Sequence, residues 1–141
     1  MSCYRAYVLI ILEKNNKVLL LKRNAHATFG AGSTSLVGGK VEECEMLNDA
    51  IIRETFEEVG VTIDKIDLKY VHTTNKRSEN IMIIGVFKVT KWQGEPYNKE
   101  PKKHDAMIWA DYNALPDDLL PTHRNIIQMV NQGIIFSESF E

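Results

Sequence analysis

Apolar residues along the chain fall into short runs that are separated by small and polar residues. Tyr4–Glu13 is rich in β-branched and aromatic residues, a composition typical of a strand, and the Asn-Asn pair after it predicts a turn into a returning strand over Lys17–Lys22. The small residues of FGAGS predict a loop over His26–Ser35. We expect the short apolar step that follows, at 36–37, to end at two consecutive glycines.

Two later segments have the pattern of helices. In Met46–Val59 apolar residues recur at helical spacing, and Gly60 stands where a glycine commonly follows the end of a helix. Pro121–Gln132 predicts a second helix, which Gly133 closes, because proline is favoured in the first turn of a helix.

The rest of the chain predicts further strands and a loop. Ile66–Thr74, Asn80–Trp92 and Ala106–Ala110 are expected to be strands, with a polar loop over Gln93–Asp105. The order of strands, helix, strands and helix predicts an α/β fold of the α+β kind, a sandwich with a mixed β-sheet between helices. We expect residues 1–141 to form one domain, since this length suits one hydrophobic core. The last residues, IIFSESFE, lead to no prediction.

Composition and charge argue against several classes of protein. The net charge of −2 disfavours a nucleic-acid partner, since nucleic-acid binders usually carry a strong basic excess. No stretch approaches the roughly 20 apolar residues that span a bilayer, and lysines interrupt the apolar N-terminal run, so we expect no signal peptide, no membrane partner and a cytoplasmic location. Cys3 and Cys44 lack metal-ligand spacing, and we expect both to be free thiols.

The first predicted helix carries an unusual cluster of carboxylates. Glu54, Glu57 and Glu58 stand at positions i, i+3 and i+4, so their side chains are expected on one face, where like charges repel. Two of them are also near the helix C-terminus, where the macrodipole disfavours anions. A divalent cation would compensate for both effects, and an all-oxygen ligand set suits Mg²⁺ or Mn²⁺. The alternative is an ordinary solvated acidic face.

The residues around this cluster follow a longer pattern. It consists of Gly39, five residues, Glu45, seven residues and then the segment RETFEEVGV of 53–61. If each residue type is used at roughly 6 %, chance agreement at the seven fixed positions is on the order of 10⁻⁹ per starting point, which makes the solvated face the weaker interpretation. The pattern resembles the signature of the Nudix superfamily of hydrolases.

The resemblance implies a Nudix-type fold and a site for Mg²⁺ or Mn²⁺ that acts on a diphosphate. A divalent ion that bridges phosphate oxygens neutralises charge and lowers the pKa of bound water, and a free carboxylate accepts the water proton. Glu54 or Glu57 is implied as this general base. Glu45 and Arg53 match supporting positions, where a bidentate arginine orients a carboxylate. By the same resemblance the metal ligands are Glu54, Glu57, Glu58 and the backbone carbonyl of Gly38.

A second match lies outside the signature. The run KWQGEPYNKEP of 91–101 resembles a loop of MutT-type members of the family, in which Trp-X-Gly-Glu-Pro precedes a further acidic residue. That residue falls on Glu100, which the resemblance implies as an extra metal ligand or as the base. The alternative is an ordinary loop charge beside a proline. Loops carry functional residues disproportionately, which favours the first interpretation.

Four residues are candidates for contact with a nucleotide. Arg23 closes a predicted strand where MutT-type members have a phosphate-contacting arginine, although a strand-end arginine can equally be solvated. Phe29, in the FGAGS loop, can stack on a base or lie in the core. His123 is near a base contact of MutT-type members, and a surface or capping role is its alternative. We expect a pocket between the FGAGS loop, Leu36 and the stretch before the last helix.

The leading hypothesis is an Mg²⁺-dependent enzyme that converts a nucleoside triphosphate into a monophosphate and pyrophosphate. A second hypothesis is a Nudix hydrolase of another diphosphate, such as a nucleotide sugar, ADP-ribose or a dinucleoside polyphosphate. A third is a Nudix-fold binding module without catalysis, which the complete set of signature carboxylates disfavours. The expected partner is a small nucleotide, and the sequence leaves a homodimer open.

Overall fold

The computed structural model describes residues 4–140, which form seven strands, two α-helices and one 3₁₀ turn. In chain order these elements are β1 (Tyr4–Lys14), β2 (Lys17–Arg23), β3 (Thr34–Lys40), α1 (Leu47–Val59), the 3₁₀ turn (Lys65–Asp67), β4 (Lys69–Arg77), β5 (Ile81–Val89), β6 (His104–Asp111), α2 (Pro121–Asn131) and β7 (Phe136–Phe140).

The strands described within residues 4–140 form one mixed sheet in the order β6-β2-β3-β1-β5-β4-β7. β1 pairs with β5 and β4 pairs with β7 in parallel, whereas the other neighbouring strands are antiparallel. The Asn-Asn turn joins β1 to β2, and both asparagines have positive φ, as a tight hairpin turn requires. The predicted mixed sheet and α+β class are therefore confirmed.

Each face of the sheet carries an apolar core and a helix. Ala50 and Val59 of α1 pack on one face, and Ile126 and Ile127 of α2 pack on the other. Because both faces of β1 are covered, its residues 8–12 are buried without alternation. Burying one such aliphatic side chain stabilises the fold by roughly 1.5–3 kcal/mol, so these contacts hold both helices on the sheet. The predicted sandwich is confirmed.

The two consecutive glycines do not end the third strand, contrary to the prediction. β3 continues through Gly38 and Gly39, and Gly38 pairs with Leu9 of β1. A Cβ atom at Gly38 would lie 2.1 Å from the carbonyl oxygen of Val8. The strand therefore needs a residue without a side chain at this position, because the backbone of β1 is so close.

The C-terminal segment forms the seventh strand, which the sequence did not indicate. β7 pairs with β4 at one end of the sheet. The buried imidazole of His72 holds it, with Nδ1 2.7 Å from the carbonyl oxygen of Ile134 and Nε2 2.9 Å from the hydroxyl of Ser137. Phe136 and Phe140 are exposed. The segment therefore lacks the buried apolar face by which a strand is recognised in a sequence.

Other boundaries differ from the prediction by a few residues. β6 begins at His104, inside the segment predicted as a loop, and β5 ends at Val89. Ile66 belongs to the 3₁₀ turn rather than to β4. The end of α1 agrees with the prediction, because Gly60 has a φ of 74° and its N–H donates to the carbonyl group of Phe56.

Two expectations from composition can be compared with the structure. Cys44 is a free and exposed thiol, as predicted, whereas Cys3 lies outside the described residues. In residues 4–140 neither helix is long and apolar enough to cross a membrane. One domain over residues 1–141 stays a prediction.

Replacing Gly38 by alanine should destabilise the fold, because the new methyl group would overlap the backbone of β1. Overpacking of this kind costs about 1–3 kcal/mol of unfolding free energy, which urea or thermal unfolding measures. Gly85→Ala is the matched control, since the atoms nearest to its methyl group in β5 belong to the half-exposed side chain of Tyr70, at 3.0 Å and beyond, and not to the backbone. Equal unfolding free energies of Gly38→Ala and the natural protein would show that β1 and β3 can move apart to admit the methyl group without loss of stability.

Candidate active site

Three carboxylates lie together at the C-terminal end of α1, and they differ in exposure. The side chain of Glu57 is 45 % exposed, that of Glu54 is largely covered, and Glu58 is only 8 % exposed. The same turns of the helix bury Thr55 and Val59 in the core. Helical spacing therefore leaves one carboxylate in water and puts two against the sheet.

Glu58 is bound to the backbone of the sheet. Its Oε1 accepts a hydrogen bond of 2.9 Å from the N–H of Gly38. Burial raises the pKa of Glu58 to about 8 against the opposing effect of this hydrogen bond, and the charges of Glu54 and Glu100 raise the pKa further. A cation beside these carboxylates would favour the charged form of Glu58.

Glu54 occupies the space above Gly39. A Cβ atom at Gly39 would lie 2.2 Å from Oε2 of Glu54, so the carboxylate can take this position only over a glycine. Burial raises the pKa of Glu54, and the neighbouring Arg53 opposes this shift. Two carboxylates of α1 thus lie side by side on β3, Glu58 at Gly38 and Glu54 at Gly39.

Arg53 connects the carboxylates that lie further out. It binds Glu45 in a bidentate manner, with Nε 2.8 Å from Oε2 and Nη2 2.9 Å from Oε1, and it holds the pKa of Glu45 at about 2. Its Nη1 donates to Oε1 of Glu54 at 2.7 Å and to Oε1 of Glu57 at 2.9 Å. Nη2 also donates to the carbonyl group of Lys40. With its donors used in this way, Arg53 has the geometry of a supporting residue rather than of a substrate contact.

Backbone hydrogen bonds tie the segment 91–101 to the end of α1. The N–H of Tyr97 donates to the carbonyl group of Val59 at 3.0 Å, and the N–H of Lys99 donates to that of Glu58 at 3.1 Å. These carbonyl groups belong to the last turn of the helix, which leaves them without helical partners. The two bonds therefore bring the residues after Lys99 to the carboxylates.

Glu100 comes directly after this anchor and faces the cluster. One oxygen each of Glu58 and Glu100 and one ring nitrogen of His104 all lie within 4.8 Å of one another. Lys103 also forms an ion pair of 3.2 Å with Oε2 of Glu100. The structure thus brings the predicted loop carboxylate to the helix carboxylates, while its role as a ligand or base stays a prediction.

His104 also lies in this site, although its sequence pattern did not indicate a functional role. It is 2 % exposed, and its Nε2 is 3.8 Å from Oε2 of Glu58. Burial lowers the pKa of His104, and the charge of Arg23 acts in the same direction, so the neutral imidazole is favoured. His104 falls within the polar loop predicted over 93–105, so it was not recognised as part of a strand beside the site. Its position shortly after Glu100 was the one signal available in the sequence.

Arg23 and Phe29 form a wall next to this site. Arg23 pairs with His104 across β2 and β6, and its Nε is buried without a hydrogen-bond partner in the described part of the chain. Its guanidinium group is 5.6 Å from the centre of the Phe29 ring. Phe29 is 59 % exposed, so its interpretation as a core residue is wrong. The arginine is half-buried rather than simply solvated.

Leu36 and His123 are buried on the other face of the sheet. Leu36 packs in the core with Ile126, and its N–H donates to Nδ1 of His123 at 3.0 Å. Burial lowers the pKa of His123 to about 3, assisted by the charges of Arg23 and Lys76. The surface or capping interpretation of His123 is therefore wrong. The expected pocket wall at Leu36 is filled core, because this side chain faces α2 and not the carboxylates of α1.

The donor set fits a divalent cation. Glu58 binds the backbone of Gly38, and the carboxylates of Glu54 and Glu100 are close enough to raise its pKa. Glu57 lies further out, where it shares Arg53 with Glu54. Hard cations prefer such oxygen ligands. The half-buried arginine nearby has an unpaired nitrogen for an anion. This combination is typical of enzymes that act on phosphate groups with the help of a divalent metal.

Comparison with known proteins identifies the family. The model of the NUDIX domain family matches residues 3–130. The chain therefore belongs to the Nudix family, and it is a Nudix hydrolase, as the signature predicted. Nudix hydrolases act on small nucleotide substrates and generally use a divalent metal.

Curated relatives with related activities are similar over most of this chain. The 8-oxo-dGTP diphosphatase of Escherichia coli (strain K12) is 30 % identical over 118 residues, which are 84 % of this chain and 88 % of that protein. The oxidized purine nucleoside triphosphate hydrolase of Mus musculus is 30 % identical over 124 residues, 86 % of this chain and 76 % of that protein. The NAD-capped RNA hydrolase NudC of Chromobacterium violaceum is 27 % identical over 126 residues, 85 % of this chain and 45 % of that protein.

Solved structures have the same fold. The MutT NUDIX hydrolase from Burkholderia pseudomallei has a TM-score of 0.81 and 25 % identity, covering 89 % of this chain and 96 % of that one. The MutT protein from Methanosarcina mazei Go1 has a TM-score of 0.80 and 22 % identity, covering 93 % of this chain and 95 % of that one. Both similarities extend over nearly the whole sandwich.

Replacing Gly39 by alanine should impair the site and leave the fold intact. The new methyl group would meet only the end of the Glu54 side chain, which can swing away, so we expect an unfolding temperature close to that of the natural protein. A catalytic group that is displaced by about 1 Å can cost on the order of 10²-fold in rate. Turnover and thermal unfolding are measured for both Gly39→Ala and Gly38→Ala, which distinguishes the role of Gly39 in the site from the role of Gly38 in the fold. Full turnover by Gly39→Ala would contradict the need for Glu54 at this place.

Proposed function

We propose that the protein is a pyrophosphohydrolase that uses Mg²⁺ or Mn²⁺ to convert nucleoside triphosphates into monophosphates and pyrophosphate. The observation that carries this proposal is the meeting of the helix carboxylates with Glu100 beside the backbone of Gly38 and within range of the charge of Arg23. The two relatives that are 30 % identical are named for hydrolysis of oxidized purine triphosphates, and this supports triphosphates as the substrate class.

The carboxylates of Glu54, Glu57, Glu58 and Glu100, with the carbonyl group of Gly38, would hold the cation. A bound divalent ion would neutralise the charge of the diphosphate and activate a water molecule for attack on phosphorus. The raised pKa of Glu58, about 8, supports a site that is complete only with a cation, because burial and the neighbouring carboxylates otherwise oppose its charge.

One of the helix carboxylates accepts the proton of the attacking water. Glu57 is the most exposed of them, while Glu54 lies over Gly39, and the same nitrogen of Arg53 donates to both. These bonds fix the direction of each carboxylate. Glu54 and Glu57 are therefore the two candidates for the general base, with Arg53 as the positioning residue.

Arg23 and Phe29 are the proposed substrate contacts. The guanidinium group of Arg23 would bind a phosphate, since its Nε has no partner in the residues described. The exposed ring of Phe29 offers a face on which a base can stack. Leu36 and His123 lie on the other face of the sheet, so they would act only indirectly, through the hydrogen bond by which His123 holds the backbone of β3. A homodimer, the lack of a nucleic-acid partner and the cellular location stay predictions.

A second candidate is the hydrolysis of another nucleoside diphosphate derivative. The similarity to NudC, whose name refers to NAD-capped RNA, favours a dinucleotide substrate, although this chain spans less than half of that protein. The third hypothesis, a binding module without catalysis, would require loss of a carboxylate, whereas every signature carboxylate is present.

Glutamine in place of each helix carboxylate should abolish most of the turnover at nearly constant shape. For Glu57→Gln, and likewise for Glu54→Gln and Glu58→Gln, we expect a fall of at least about 10²-fold, the scale for loss of a proton-transfer group or ligand. Glu43→Gln is the matched control, because Glu43 is exposed and belongs to the signature segment without being one of its fixed positions. Near-normal turnover by all three variants would mean that the carboxylate face is merely solvated.

Substrate choice is decided by kcat/KM values with and without added metal. We expect nucleoside triphosphates, modified purines first, to be cleaved in Mg²⁺ or Mn²⁺ and not in EDTA, because an all-oxygen carboxylate site suits hard cations. The panel includes ADP-ribose, nucleotide sugars and dinucleoside polyphosphates. A lead of more than about tenfold for one of these, or 1.4 kcal/mol in transition-state binding, would overturn the triphosphate proposal and leave the family unchanged.

A further inference from the structure

The imidazole of His104 has no hydrogen-bonding role in the described chain. Its Nδ1 is buried without a partner. Its Nε2 approaches Oε2 of Glu58 to 3.8 Å, which is too long for a hydrogen bond. Buried polar atoms nearly always have a partner, and a buried ring without one calls for a specific explanation.

The backbone of His104 is held in place by hydrogen bonds and by strand pairing. The N–H of His104 donates to the carbonyl group of Glu100 at 3.0 Å, and its own carbonyl group accepts from Nδ2 of Asn98 at 2.8 Å. His104 also pairs with Arg23 across the sheet. The backbone is therefore fixed on both sides, and the buried side chain is held against the carboxylates of Glu58 and Glu100.

We propose that His104 supplies a nitrogen ligand, together with Glu58 and Glu100, so that this site takes Mn²⁺ in preference to Mg²⁺. One ligand atom from each of the three side chains lies within 4.8 Å of the other two, a spacing that one ion can bridge. Imidazole nitrogen suits transition metals, while Mg²⁺ selects oxygen. The inference rests on the proposed metal-dependent function and changes the all-oxygen site that the signature implies.

The other histidines of the described chain differ from His104 in hydrogen bonding or exposure. His72 uses both ring nitrogens within the fold, and Nδ1 of His123 accepts the N–H of Leu36. His26 is exposed on the loop before β3. A nitrogen ligand at the carboxylates is therefore assigned to His104 alone among the described histidines.

Pulsed EPR of Mn²⁺ bound to the metal-free protein tests the assignment directly. A coordinated histidine nitrogen modulates the Mn²⁺ signal, and selective ¹⁵N-histidine labelling changes that modulation. We expect the histidine signal in the natural protein and in the control His26→Gln, and its loss in His104→Gln. Calorimetry should show Mn²⁺ affinity falling by about tenfold or more in His104→Gln, and Mg²⁺ affinity changing by less than about threefold.

Each result decides between the proposals. Mn²⁺ bound by oxygen alone, or a histidine signal that persists in His104→Gln, would overturn the nitrogen ligand and leave the hydrolase function standing. No metal binding together with no metal-dependent turnover would overturn both. If His104→Gln does not fold, the labelled natural protein and His26→Gln still test the assignment. A histidine signal in both proteins excludes the exposed His26 as the ligand. Absence of a histidine signal from the natural protein refutes a nitrogen ligand.

Discussion

The site depends on one close contact, that between the end of α1 and the two glycines of β3. Because Gly38 and Gly39 have no side chains, the carboxylates of Glu58 and Glu54 lie directly on the sheet, one bound to an N–H and one filling the place of a Cβ atom. The position of β3 is itself set by its pairing with the central strand β1. The geometry of the carboxylates is therefore fixed by the core of the protein, which is what a catalytic site needs.

This contact brings negative charge into a place where burial opposes it. Burial raises the pKa values of both Glu54 and Glu58, and on the outer side the single cation of Arg53 is shared among Glu45, Glu54 and Glu57. Arg53 can neutralise only part of this charge, since the carboxylates outnumber it. A divalent ion would supply what is missing, and the same ion would bring the charge needed to bind a diphosphate.

Local patterns made much of this predictable. The spacing of Glu54, Glu57 and Glu58 fixes a common face once a helix is assigned, and the mixed sheet followed from the order of elements. Features that depend on distant contacts were missed. β3 continues through its glycines because of β1, and β7 is held by His72 from β4. Neither contact leaves a periodic signal in the segment that it stabilises.

The same distinction between local sequence patterns and distant contacts applies to the residues of the site. The signature encodes the handling of a diphosphate locally, on one helix and one glycine pair. Glu100 and His104 come from a segment that reaches the helix only because Tyr97 and Lys99 bind the free carbonyl groups at its end. In the proposed site, changes in that segment would alter the ligands of the cation while the signature stays intact. In the proposed site, selectivity for metal and substrate would therefore depend on the parts of the chain that tertiary contacts position.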